Sequence, residues 1–156
     1  YEGDFKDDLQ HGKGKFSSAD GTTIREGIWV DGEYSESLTN TKKGKDFRDG
    51  NGVLQNYESA KEFFVLAAQD GHQEAMLHLA QLYKDQKIVD EPTLAETIAG
   101  RFDDGESKSQ LIKAHMWANL AGNELTQTIE KQLNPEEIKQ AQDLAKECLE
   151  NDYQGC

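Results

Sequence analysis

The chain has 156 residues, and 17 Lys and Arg against 30 Asp and Glu give it a formal net charge of −13. At 35% hydrophobic residues with 14 glycines it has the composition of one folded domain or two small ones with a modest core, not of a disordered polymer. No run of 18 apolar residues is present to cross a membrane, and so acidic a chain repels phosphate backbones and anionic headgroups, which sets nucleic acid and acidic membranes aside as default partners. A cut before Tyr57 separates two textures. Positions 1–56 hold most of the glycines, with 8 Lys and Arg and 11 Asp and Glu; the remainder holds Ala and Leu at helical spacing, with 9 Lys and Arg and 19 Asp and Glu.

From the N-terminus, aromatic or apolar residues alternate with Gly and charged residues: Tyr1, Gly3, Phe5, then His11-Gly12-Lys13-Gly14-Lys15-Phe16 and Asp20-Gly21. Period-two alternation punctuated by Gly and Asp predicts β-hairpins, since it turns one set of side chains inward while Gly relieves the φ restriction at turns. Tyr1-Glu2-Gly3-Asp4-Phe5 recurs as Arg25-Glu26-Gly27-Ile28-Trp29, followed by Asp31-Gly32. This segment resembles the MORN repeat, and the resemblance, over about one and a half units, implies hairpins stacked in an elongated sheet. Arg25 stands where that pattern has Tyr, and the repeat dissolves between Ser35 and Thr41. The reading is a β-hairpin module with linker over residues 1–45. So small a sheet is expected to lean on the helical part of the chain.

In the second part Ala60, Phe63, Phe64, Ala67, Ala68 and Gly71 fall on one side of a helix, and Ala75, Leu79, Ala80 and Tyr83 on one side of the next. Small residues let two helices approach while rings fill the gaps. With Asp49-Gly50-Asn51-Gly52-Val53 and Tyr57 ahead of it, this hairpin resembles a Sel-one-like repeat, a relative of the tetratricopeptide unit. A shift of 54 carries Ala60, Phe63, Leu66, Ala67, Ala75 and Leu79 onto Ala114, Trp117, Leu120, Ala121, Ile129 and Leu133. The family unit is shorter, which places an insertion with a short helix from Pro92 in residues 84–106. Asn134 as cap, Pro135 at the first turn and Glu136-Glu137 near the positive end of the dipole predict a last, capping helix over about 135–152. The expected fold class is therefore α+β: a MORN-type hairpin module, then, from the second resemblance, an α/α right-handed solenoid over residues 46–156.

Sites of chemistry are sparse. His11, His72, His78 and His115 show no metal-ligand spacing and read as surface or partly buried rings, with no metal and no cofactor expected. From Phe47 to Glu58 several positions imitate a calcium loop, but Phe47 stands where the first oxygen ligand belongs. Adjacent acids such as Asp7-Asp8, Asp103-Asp104 and Glu136-Glu137 are what 30 carboxylates in one chain produce on solvated loops and helix starts. No nucleophile elbow or phosphate loop is present, and the chain reads as non-enzymatic. Cys148 and Cys156 are too late and too close together to frame a fold, and whether they pair is left open.

What remains is surface. Opposite the apolar stripe of the first helix lie Glu62, Val65 and Gln69, and the shift of 54 gives Met116, Asn119 and Asn123 as their counterparts. First helices of successive units line the concave face of a solenoid, so these six are the candidate groove for another protein or peptide. Trp29 and Trp117 read as core. Self-association through the hairpin module is an alternative use of the first part. The MORN resemblance also implies a peripheral lipid-binding module as a rival, to which Lys13, Lys15, Lys42, Lys43 and Lys45 would contribute, or a regulatory fragment of a larger protein. The compartment is left open.

Overall fold

A computed structural model describes residues 1–88, 105–154 and 156. The N-terminal part is a four-stranded antiparallel sheet in sequence order: β1 (Glu2–Lys6), β2 (Leu9–Ser17), β3 (Thr23–Val30) and β4 (Glu33–Ser35). The recurrence seen in the sequence is visible in the backbone. The turn between β1 and β2 places Asp7 and Asp8 at φ 51° and 63°, and the turn between β3 and β4 places Asp31 and Gly32 at 49° and 91°. Both have the two left-handed residues of the tight hairpin turn that matches strand twist. The pairs Lys6 with Leu9 and Phe5 with Gln10 recur as Val30 with Glu33 and Trp29 with Tyr34.

Trp29 organises the sheet. Its ring meets Tyr1, Phe16 and Tyr34 at centroid distances of 5.2, 6.1 and 5.6 Å, leaving it 6% exposed, and its indole N–H donates to the Gly14 carbonyl at 3.3 Å. Gly14 is required there because the Tyr1 ring occupies the space its Cβ would take. The atypical Arg25 sets its guanidinium over the Tyr34 ring at 5.4 Å.

Six helices come next among the described residues: α1 (Glu36–Asp49), α2 (Tyr57–Gln69), α3 (Gln73–Lys84), α4 (Gly105–Leu120), α5 (Leu125–Glu130) and α6 (Pro135–Glu150). The first corrects the sequence reading. Residues placed in a linker, with a domain boundary after residue 45, form a 14-residue helix that runs through that boundary. The Ser35 side chain caps it by accepting from the Leu38 N–H at 3.3 Å, and Gly50 ends it at φ 73°. Its buried face is Thr39, Asn40, Thr41 and Gly44, which carries no apolar periodicity. The helix is held by shape. Gly44 lies against the Phe64 ring, Phe47 stacks on Phe63 at 5.6 Å, and the Thr39 hydroxyl accepts the Ile28 N–H of β3 at 2.8 Å. The sheet leans on the helices through this contact.

A second period emerges. A shift of 36 carries Thr39, Asn40, Gly44 and Phe47 of α1 onto Ala75, Met76, Ala80 and Tyr83 of α3. The helix ends coincide too. Gly50 and Gln86 both have positive φ, and the Asn51 N–H donates to the Asp46 carbonyl as the Lys87 N–H does to that of Leu82. In its packing and its end, α1 thus corresponds to the second helix of a hairpin, with the sheet in front of it.

At a shift of 54 three of the six pairs are buried on both sides, Ala60 with Ala114, Ala75 with Ile129 and Leu79 with Leu133. The helix ends align instead at a shift of 51, where Gly71 and Gly122 both have positive φ and the His72 N–H donates to the Ala67 carbonyl as the Asn123 N–H does to that of Ala118. Adjacent helices pack in succession, α1 on α2, α2 on α3, α3 on α4, and α4 on both α5 and α6. Helix α5 has half the length of α3, because Asn134-Pro135 starts α6. There Asn134 accepts from Glu136 and Glu137 N–H groups while the Glu137 carboxylate accepts from the Asn134 N–H at 2.8 Å, a complete capping box. The expected short helix from Pro92 lies outside the described residues.

Candidate functional site

The six groove positions do not form one surface. Glu62 and Asn119 are exposed and Gln69 is half-buried. Val65 is half-buried with its side chain packed on the core. Asn123 is half-buried and occupied locally, its side chain accepting the Leu125 N–H at 2.9 Å ahead of α5. Met116 is not a groove residue here. It is 3% exposed and borders a cleft of about 220 Å³ whose other walls come from α6 and the chain end, including Leu144, Cys148 and Cys156. Opposite the apolar stripe on the wheel of α4 there is a further helix. Leu66, by contrast, stands 47% exposed on α2.

The larger cleft, about 550 Å³, lies between the sheet and α1. Lys13, Lys15, Lys42 and Lys43 line it together with Glu2, Glu26 and Asp46. Four of the five lysines singled out from the sequence therefore meet, in a chain of net charge −13. Lys15 lies across from both Glu2 and Glu26, and Lys42 pairs with Asp46 one turn on. Lys43 lies over the Phe63 ring at 5.5 Å. The fifth, Lys45, instead pairs with Glu74 of α3 at 3.0 Å.

A polar seam joins α1 to α3. The Arg48 guanidinium holds Asp49 at 2.7 Å and faces His78 Nδ1 at 3.0 Å. A guanidinium only donates, so Nδ1 accepts and the ring proton sits on Nε2, 3.5 Å from Glu74 and too far for a full hydrogen bond. Burial, then the Arg48 charge, push the His78 pKa down, so the ring is neutral, while the Arg48 hydrogen bond lowers Asp49 and the Lys45 hydrogen bond lowers Glu74. Asp49, which imitated a calcium-loop position, is thereby committed to Arg48, and Phe47, which broke the imitation, to the Phe63 stack. His72 turns to Thr41 Oγ1 at 3.1 Å. His115 corrects the surface reading of the histidines. It is fully buried with Nε2 3.1 Å from Glu130, while its Nδ1, Trp117 Nε1 and Gln110 Oε1 have no partner among the described residues.

Residues 1–23 match the MORN repeat family. The MORN segment spans β1, β2 and the start of β3, so it supplies Glu2, Lys13, Gly14 and Lys15 to the cleft, and β1 is an edge strand of its sheet. No curated protein and no solved structure matches the chain. The MORN repeat points, at a coarse level, to interaction with membrane lipid or with protein.

Cys148 and Cys156 form a disulfide with Cα atoms 5.6 Å apart. It joins the last turn of α6 to the chain end, beside the Met116 cleft. The sequence leaves this clasp open and gives no sign of the seam, whose pairs, Arg48 with His78 and Lys45 with Glu74, are distant in the chain and sit on two helices.

Proposed function

We propose that the chain is a non-enzymatic protein-interaction module: a MORN-type hairpin sheet set against a right-handed α/α solenoid of Sel-one-like repeats, which offers the outer faces of its first helices, α2 and α4, to another protein or peptide. The observation that carries this reading is the double correspondence, in which a shift of 36 relates α1 to α3 and the α2–α3 hairpin is matched in the α4–α5 hairpin by three buried pairs at a shift of 54 and by the corner at a shift of 51. Units repeated in this way stack into an extended surface, and such surfaces read extended segments or helices of other proteins. Glu62, Gln69 and Asn119, with the protruding Leu66, are the residues available on it. The test is capture from the native cell on the immobilised full chain, with Glu62→Lys and Asn119→Lys as variants. Both positions are exposed, so folding should be spared. Loss of a specific captured protein with the variants supports the groove; identical capture by all three chains rejects it.

The lysine cleft favours a second reading, in which the junction of sheet and α1 takes an anionic headgroup. Flotation with anionic vesicles at physiological salt, comparing the chain with Lys13→Glu and Lys43→Glu, separates the two: co-flotation lost in both variants supports the lipid reading, and no flotation removes it.

A further inference from the structure

The side of α4 that carries Met116 is covered by the chain itself. Beyond α6 the chain turns back, so that Gln154 and Cys156 wall the cleft over Met116 and Leu144. Tyr153, half-buried against the core, brings its ring to 3.9 Å from where a Cβ on Gly71 would stand. Gly71 is at the α2–α3 corner, so the tail touches both hairpins. Its conformation is not one that this sequence would adopt freely. Asp152 and Tyr153 both lie in the left-handed region, at φ 49° and 62°, which Asp tolerates but which strains the bulky Tyr153. Three short-range backbone bonds hold the turn: Asp152 N–H to Leu149 O at 3.2 Å, Tyr153 N–H to Cys148 O at 2.8 Å and Gln154 N–H to Asn151 O at 2.9 Å. The disulfide closes this eight-residue loop around them.

We propose that the Cys148–Cys156 disulfide is a redox latch: oxidised, it holds the segment after α6 over Met116 and Leu144, and reduced, it releases that segment and bares them. The reductant is a dithiol. Cys148 is buried while Cys156 is half-buried, so a thiolate of the dithiol attacks Cys156 Sγ and expels Cys148 as a thiolate, which takes up a proton. The second thiol of the reductant then closes on its own bound sulfur and expels Cys156. Two electrons pass to the protein, whose two cysteines end as thiols, and the reductant ends as its disulfide. Without the covalent closure, the left-handed strain at Tyr153 opposes the three turn bonds and the Tyr153 contact, and the tail opens.

Amide hydrogen exchange on the full chain, oxidised and then reduced with a dithiol in native buffer, reads this directly. On reduction, protection at residues 152–154 should fall about tenfold or more beyond any fall in α2 and α3, and Cys156→Ser should show the open tail without reductant. Unchanged protection of the tail overturns the latch, as does a loss spread evenly through all the helices, which would make the disulfide a general staple. A tail that opens while capture stays insensitive to Glu62→Lys supports the latch and overturns the groove reading, so the two failures are distinguishable.

Discussion

Replacing Gly44 by Ala tests how α1 is held. A Cβ at that position would stand 2.6 Å from Phe64 Cδ1 and Cε1 and 3.0 Å from Cζ. Carbon atoms in contact prefer about 3.5–4.0 Å, so the two helices must separate by roughly 1 Å or the ring must turn. The ring has little room to do so, because Phe64 is fully buried and His78 lies against it with ring centroids 4.8 Å apart. Overpacking of this kind costs about 1–3 kcal/mol, and the depth of the overlap puts Gly44→Ala in the upper part of that range. Against it stands a helix-propensity gain of about 1 kcal/mol for Ala over Gly. The expected net loss is about 2 kcal/mol, read from urea unfolding followed by far-ultraviolet circular dichroism. Phe64→Leu in the same chain should recover part of it, with a coupling of about 1 kcal/mol in the double-mutant cycle. Equal or greater stability of Gly44→Ala would refute the close approach of α1 to α2.

Three further outcomes rest on particular contacts. Burial and Arg48 depress the native pKa of His78 below its ordinary 6.5, so on acidification the unfolded chain binds that proton first. This contribution to stability is complete above about pH 6.5 and is lost as pH falls from there through the depressed native value, and His78→Gln should flatten the urea midpoint across that window; an unchanged slope would contradict a neutral ring at the seam. Asp8→Gly, which copies Gly32 onto the equivalent left-handed position, should raise stability by about 1 kcal/mol, and no gain in melting temperature would deny that the two turns are equivalent. Cys156→Ser should lower stability by about 2 kcal/mol, from a loop-closure value of about 2.5 kcal/mol at this sequence separation less some relief of left-handed strain; matching unfolding curves with and without reductant would show that the clasp carries no stability.

Where structure follows from local chemistry, the sequence is readable. Helix α6 announces itself through Asn134, Pro135 and Glu137, and the hairpins through Gly, Asp and the recurrence of Glu2-Gly3 as Glu26-Gly27. Helix α1 does not, because its buried face is polar or small and its interior holds Gly44, so that neither periodicity nor propensity marks it. Its traces are the end signals Ser35 and Gly50 and the relation to α3 at a shift of 36, in which Gly44 and Phe47 answer to Ala80 and Tyr83. The lysine cleft was legible as a set of residues but not as a place, since Lys42 and Lys43 come to it on α1. Met116 was misplaced for a different reason. A helical wheel reports which side of α4 it occupies but not that α6 and the tail cover that side, and the burial of His115 against Glu130 is likewise a tertiary fact.

The binding reading stands on a helical stack that begins at α1 and not at α2. Native-state hydrogen exchange on the intact chain under mild denaturant tests this, because amides of one cooperative unit open with one free energy. Amides of Thr41 to Phe47 should open together with those of α2 and α3. If they exchange instead with the exposed loop over positions 51–56, α1 is a peripheral segment and the stack that relates it to α3 does not exist.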